Sequence, residues 1–243
     1  MAKKQLDEIS VLLVQPRSDL PMVEHEIKCI TQYSGLSREQ IHSVSPFYTT
    51  ITNSLLKNVD AVIIGGSDTS VLDNFPWSNS IIELIQQIAA VKMPLFGSCW
   101  GHQMVAKVFG GEVISDVSRK EMGSIEVHLT PQGKEDLLFS KLPTKFTAQS
   151  GHKDHVVKLP NNIEPLAYSV LSPYQAIKVI DCPIYGVQFH ADMDKLELKE
   201  RLEFYQYDYV DNKEFENICN SLQESPEAVT VISGFLEKVV LAK

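Results

Sequence analysis

Gly97-Ser98-Cys99-Trp100-Gly101 stands between two unlike stretches of a 243-residue chain. Before it, Pro94-Leu95-Phe96 is a short strand-like run; after it, Trp100 to Phe109 has helical spacing and stops at Gly110-Gly111. The quintet has the spacing of a nucleophile elbow, G-x-nucleophile-x-G, with cysteine as the nucleophile. A turn that tight has no room for side chains on its flanks, so glycine takes both positions. It exposes the sulfur at the carboxyl edge of a sheet, where open α/β folds bind ligands. The first turn of the following helix offers unpaired N–H groups and a positive dipole end, which predicts a Cys99 that favours thiolate over thiol.

Working outward, the same alternation of strand and helix recurs. Ser10-Val-Leu-Leu-Val14 is a continuous apolar run, typical of a strand buried on both faces. Pro21 to Ser34 has helical spacing and is closed by Gly35. Val59-Asp-Ala-Val-Ile-Ile64 predicts a second strand ending at Gly65-Gly66, and Ser80 to Val91 gathers Ile81, Ile82, Leu84, Ile85 and Ile88 on one helical side. This order predicts an α/β fold: a mainly parallel open sheet with helices on both faces.

The middle of the chain reads differently. Ile125–Leu129 and Lys145–Gln149 alternate like hairpin strands, separated by Pro131, Gly133 and Pro143, so a small mixed β region joins the sheet. Ala176–Ile180 and Ile184–Phe189 predict two strands across the Asp181-Cys182-Pro183 turn. Lys195 to Val210 and Pro226 to Val240 are helical by spacing, joined by a polar segment. Without internal repeats or linker-like tracts, residues 1–243 are expected to form one domain.

Composition narrows the function. Thirty-one acidic side chains against 22 Lys+Arg leave a formal charge of −9, with no basic stripe, which argues against nucleic acid or an anionic membrane as partner. Hydrophobic residues make up 44% of the chain, yet no apolar run approaches the ~20 residues that span a bilayer. Met1-Ala-Lys-Lys has no apolar region behind it and does not read as a signal peptide. Cys29, Cys99, Cys182 and Cys219 lie far apart, with no C-x-x-C pair, so neither a zinc knuckle nor a disulfide scaffold is expected. A soluble, cytoplasmic protein is the expectation.

A cysteine nucleophile needs a base, and the base needs an orienting group. Of seven histidines, His190 follows the strand run Ile184–Phe189 and has Asp192 two residues on. The two side chains meet if the chain turns there. His152-Lys-Asp-His155 has an H-x-x-H spacing, but no third ligand stands nearby and no metal is expected. Phe204-Tyr-Gln-Tyr-Asp-Tyr209 lies in an acidic helix and reads as packing or a partner contact. Cys29, Cys182 and Cys219 have no elbow around them and read as structural.

Together these residues resemble the class I (triad) glutamine amidotransferases, particularly free-standing ones similar to the glutaminase part of GMP synthase. The resemblance runs through Gly65-Gly66 and Trp77, Phe96–Gln103, Gly110-Gly111, Met122-Gly123, Gln149–Asp154, Leu159-Pro160 and Tyr185–His190, in the family's order. It implies a flavodoxin-like fold and a Cys99 that attacks the side-chain amide of glutamine to form a γ-glutamyl thioester. His190 is then the base and Asp192 its orienter. Gly66 and Trp100 would give backbone N–H groups to the oxyanion. Gln103 and the Ser150-Gly151 backbone would hold the amino-acid end of the substrate. No cofactor is implied, and ammonia would go to a separate synthetase or be released.

One departure stands out. The family usually carries His-Pro-Glu, where this chain has His190-Ala191-Asp192. Aspartate reaches roughly 1.5 Å less far than glutamate, and Asp194 is a substitute orienter. Two further readings remain beside the glutaminase. A γ-glutamyl peptidase or hydrolase would use the same triad on peptides or conjugates, and a non-catalytic regulatory module would keep only the fold.

Overall fold

The computed structural model describes residues 4–209 and 212–242, with 206–209 described by backbone alone. Among the described residues nine strands form one sheet, parallel over one half and antiparallel over the other. Strands β1 (Val11–Val14), β2 (Ile41–Val44), β3 (Ala61–Ile64) and β4 (Leu95–Ser98) alternate with helices α1 (Leu20–Ser34) and α2 (Ser78–Ala90). Helix α3 (Trp100–Val108) follows β4 after the single residue Cys99. The chain then runs through β5 (Glu112–Ser115), β6 (Glu121–Leu129), the short α4 (Pro131–Glu135), β7 (Lys145–His152), β8 (Asp154–Lys158) and β9 (Ile163–Tyr168). Strands β10 (Ala176–Val179) and β11 (Ile184–Val187) lead to α5 (Lys195–Tyr209), α6 (Asn212–Ser221) and α7 (Thr230–Phe235).

The sheet order is β2-β1-β3-β4-β11-β10-β9-β6-β7, while β5 and β8 pair separately. Pairing is parallel from β2 across to β11 and antiparallel from β11 to β7. The predicted parallel sheet with an added mixed β region is what forms. β1 shows why its run is continuous: Val11 and Leu13 pack on one face with α1 and α7, Leu12 and Val14 on the other with α2 and α3. All four are buried. A period of two on a strand covered on both faces needs apolar residues at every position.

Several elements differ from the sequence expectation. β2, β5, β8 and β9 were not predicted. They are short, polar on one side or interrupted: β2 is buried only at Ile41, and β9 contains Pro165. The polar segment after α5 holds α6, whose apolar residues are too sparse to announce it. Residues 226–229 form a turn, so the last helix begins at Thr230 and widens into a π-turn over Leu236–Val240. Val210, the expected end of α5, and the first three residues lie outside the described residues. Among the described residues no helix is long and apolar enough to cross a membrane.

What positions the site is the parallel register. β4 pairs with β11 so that Gly97 faces Gly186 and Ser98 faces Val187, and the Cys99 N–H donates to Val187 O at 2.8 Å. The start of α3 is pressed against β3: Gly101 N–H donates to Gly65 O at 3.2 Å. A side chain at Gly101 would begin 2.2 Å from the Ile64 carbonyl oxygen, and one at Gly97 would lie 2.6 Å from the Gly101 carbonyl carbon. Both glycines of the elbow are therefore required by backbone, which cannot yield as a flexible side chain would. Gly101→Ala is expected to destabilise the fold by about 1–3 kcal/mol, the usual cost of overpacking, and to lower the thermal midpoint accordingly. Thermal unfolding followed by circular dichroism checks this; an unchanged midpoint would contradict the close packing.

Candidate active site

Cys99 caps α3 with φ 50° and ψ −101°, a positive-φ conformation that costs a non-glycine residue about 1–3 kcal/mol and persists only because both flanks are fixed. The strain aims the sulfur into a cleft at the carboxyl edge of the sheet. Cys99 is 6% exposed. Burial is the largest influence on its thiol and pushes the pKa up to about 12, against the opposing pull of Arg17, Arg201 and the Trp100 N–H. The helix terminus alone predicted a thiolate; desolvation overrides it, and the resting group is a thiol.

His190 and Asp192 meet as expected. After β11 the chain turns so that His190 N–H donates to Gln149 O at 2.8 Å, and His190 Nδ1 donates to Asp192 Oδ1 at 3.1 Å. That bond leaves Nε2 as the acceptor. The shorter carboxylate is held from two further sides. Ser98 Oγ donates to Asp192 Oδ1 at 3.2 Å, and Arg201 Nη2 lies 3.7 Å from Oδ2. Burial works against ionisation of Asp192, but His190, Arg201 and Ser98 outweigh it and hold the carboxyl well below the usual range. Burial lowers the His190 pKa beneath the ordinary 6.5, opposed by Asp192 and assisted by Arg201 and Arg17, so the imidazole is neutral near pH 7. Asp194 is no orienter. Its Oδ1 accepts from Lys195 N–H at 2.7 Å, Ser225 N–H at 2.8 Å and Ser225 Oγ at 2.9 Å, which ties down the segment before α7.

The two expected oxyanion donors part company. The Trp100 N–H opens α3 directly after Cys99 and favours the ionised sulfur. The Gly66 N–H, however, is committed to Glu26 Oε1 at 3.0 Å. Glu26 sits on the buried face of α1, 1% exposed, where Gln15 Nε2 donates to it at 2.9 Å and Arg17 Nε lies at 3.5 Å. A buried carboxylate takes whichever donors surround it, and the strand end of β3 supplies one.

Two cavities open beside Cys99 and share Met122 and Gly151 in their walls. The larger, about 250 Å³, is lined by Ser67, Trp100, Gln103, Lys120, Gly151 and Asp154 among others. The smaller, about 50 Å³, is lined by Arg17, Cys99, His190, Arg201, Leu202 and Tyr205. Of the expected substrate contacts, Gln103 and Gly151 line the larger space, but Ser150 is fully buried and does not reach it. The Gln103 side-chain amide is also committed, donating to Asp154 O at 2.7 Å and Gln188 Oε1 at 3.1 Å. His152 Nε2 pairs with buried Glu121 at 3.1 Å, so the H-x-x-H segment belongs to a structural polar network. Among the described residues no group of three His, Cys, Asp or Glu gathers as metal ligands.

Arg17, Glu26, Ser98, Arg201 and Tyr205 were not singled out from the sequence. Two faint signals existed. Gln15-Pro16-Arg17 follows a fully buried strand and so falls at its carboxyl edge, and Glu26 stands among Val23, Ile27 and Ile30 on the apolar face of α1. The stretch read as packing or a partner contact, Phe204–Tyr209, contributes Tyr205 to the site wall while Phe204 is exposed; the side chains beyond lie outside the described residues.

A neutral cysteine–histidine pair, an oriented imidazole and a helix N–H at the sulfur suit acyl transfer from an amide. Comparison with known proteins agrees. The model of the family "Glutamine amidotransferase class-I" matches residues 27–209. A glutamine-hydrolysing GMP synthase of Borreliella burgdorferi is 33% identical over 178 residues, 71% of this chain, which spans about a third of that protein's length. One subunit of the glutamine-hydrolysing GMP synthase of Methanocaldococcus jannaschii is 32% identical over 169 residues, covering 70% of this chain and 82% of that one. The crystal structure of a glutamine amidotransferase from Thermotoga maritima superposes with a TM-score of 0.74 at 19% identity, over 95% of this chain and 98% of that one. The chain belongs to the class I glutamine amidotransferase family.

The geometry separates the two aspartates by one measurement, the titration of His190 followed by NMR. Asp192→Asn removes the charge that supports the imidazolium and weakens the hydrogen bond to it, so the His190 midpoint falls further below 6.5. Asp194→Asn leaves that midpoint in place and lowers thermal stability instead, through loss of the Ser225 contacts. The reverse pattern would reassign the orienting role.

Proposed function

We propose that this chain, acting as one unit, hydrolyses the side-chain amide of glutamine and that its ammonia passes to a separate synthetase. The observation that carries this is the convergence of Cys99, His190 and Asp192 beside a helix N–H at the mouth of a cavity, on a family member's fold. His190 Nε2 takes the Cys99 proton as the sulfur attacks the amide carbon. The carbonyl π pair moves onto oxygen, and Trp100 N–H stabilises that oxyanion. When the intermediate collapses, the C–N bond breaks and His190 returns its proton to the departing ammonia. A γ-glutamyl thioester remains on Cys99. Water, deprotonated by His190, attacks it, the C–S bond breaks, and glutamate leaves with the thiol restored. Asp192 holds the ring and stabilises the imidazolium in both halves.

One feature favours a second reading. The small cavity beyond Cys99 and His190 leaves room for a leaving group larger than ammonia, as a γ-glutamyl peptide would have. Glutamate release from glutamine, compared with release from γ-glutamyl dipeptides, separates the two. The proposal expects glutamine to be the better substrate and its hydrolysis to accelerate when the synthetase and its activated substrate are added. Dipeptides cleaved faster, with no response to a synthetase, would replace it by the peptidase.

Two outcomes are expected on the preferred substrate. Cys99→Ala retains the fold and loses all turnover; residual activity at the native level would remove the thioester mechanism. On the pH axis, kcat/KM depends on a neutral His190. It is therefore full near neutrality and falls as pH drops through the histidine's lowered pKa, with the loss lying below 6.5. A fall that begins above pH 7 would contradict a buried, neutral base.

A further inference from the structure

Gly66 turns its N–H to Glu26. At the point where a side chain would begin, Arg17 Nη2 is 2.9 Å away, His190 Cε1 3.4 Å and Cys99 Cβ 3.8 Å. Three functional side chains thus converge on a space that exists because residue 66 has none. Arg17 is 3% exposed and held from several directions. Its Nε faces Glu26 at 3.5 Å, its Nη1 donates to Tyr205 Oη at 3.4 Å, and its carbonyl accepts from Ser45 Oγ at 2.7 Å. Glu26 lies behind the guanidinium, and the exposed Asp68 acts on it more weakly from the mouth of the cleft. Nη2 is the nitrogen on the side of Gly66, the point on which Cys99 and His190 also converge.

We propose that Arg17 is a catalytic residue: its guanidinium and the Trp100 N–H together stabilise the anion that forms at Cys99, in the role that the Gly66 N–H does not fill. This rests on the amide-hydrolysis reading above and names a residue of that same site. Attack converts a neutral thiol and a neutral carbonyl into an oxyanion, so a fixed cation gains interaction only as the charge develops. A charge-assisted bond is roughly twice as strong as one from a neutral N–H. Arg17 stays protonated in its buried position, because Glu26, Tyr205, Asp68 and Cys99 together outweigh the cost of burial. After burial itself, Arg17 is the largest influence on the Cys99 thiol, and it acts in the anion's favour. Glu26 has two tasks in this arrangement: it neutralises the arginine and locks the strand end that leaves room for it.

The test separates this claim from the substrate question, because thiol alkylation needs no substrate. Arg17→Gln removes the cation but strands Glu26 in the core. The double variant Arg17→Gln/Glu26→Gln replaces the buried pair by neutral groups of similar size and is the main comparison, with Arg17→Lys as the charge-conserving one. In the folded double variant, iodoacetamide should alkylate Cys99 about tenfold more slowly at pH 8. Turnover should lose about 10²–10³ in kcat with little change in KM. Arg17→Lys should recover most of the alkylation rate but not kcat, since an ammonium cannot span both Glu26 and the cleft. Unchanged alkylation and kcat would make Arg17–Glu26 a structural pair only. A raised KM with kcat retained would make Arg17 an anchor for a substrate carboxylate. Either result overturns the proposal. If the native chain hydrolyses no γ-glutamyl amide, the functional reading fails, while the alkylation comparison still decides whether Arg17 acts on Cys99.

Discussion

Four adjacent strands run parallel and in step, and the rest of the site depends on that register. β1, β3, β4 and β11 all end at one edge, so the residues just past them are neighbours in space though far apart in the chain. Arg17 follows β1, Gly66 follows β3, Cys99 follows β4 and His190 follows β11. A strand slipped by two residues would carry its functional side chain about 7 Å along the sheet, out of reach of the others. The register is itself pinned by close backbone contacts, above all the first turn of α3 against Ile64 and Gly65. Apolar packing on both faces of the sheet supplies the stabilisation that keeps Cys99 in its positive-φ conformation.

Burial then sets the chemistry. Desolvation raises the thiol of Cys99 and lowers the imidazole of His190, so both groups are neutral at rest, as the proposed proton transfer between them requires. The helix dipole, which acting alone would favour a thiolate, is a smaller effect in a site this dry. The same dryness makes fixed charges effective. Asp192 remains ionised only because His190, Arg201 and Ser98 surround it. Those extra contacts answer the loss of a methylene relative to the family's glutamate: the carboxylate reaches the imidazole because the chain turns tightly after His190, and Ser98 and Arg201 fix it there.

Much of this was legible in the residue order, where a backbone constraint dictates residue type. The paired glycines around Cys99, the unbroken apolar run at β1 and the carboxylate two residues after His190 each leave a mark that needs no partner to interpret. Edge strands such as β2, and β9 with its internal proline, leave a weaker mark, since only one face or a few residues are buried. The polar framework of the site left almost none. Arg17, Glu26 and Arg201 are ordinary charged residues in the sequence, and only the fold brings them together in the core. Gly66 lies beside Cys99 and His190, for a reason other than the one its motif implied. Its N–H belongs to Glu26, and a side chain there would collide with Arg17 and crowd His190.

The central claim is that Cys99, served by His190, forms a covalent acyl intermediate. Rapid acid quenching during turnover with glutamine, followed by peptide mass spectrometry, tests it most directly. The account predicts a γ-glutamyl adduct on the peptide that contains Cys99 and on none that contains Cys29, Cys182 or Cys219. Glutamate release with no adduct on Cys99 at any quench time, under conditions where the intermediate must accumulate, would contradict it.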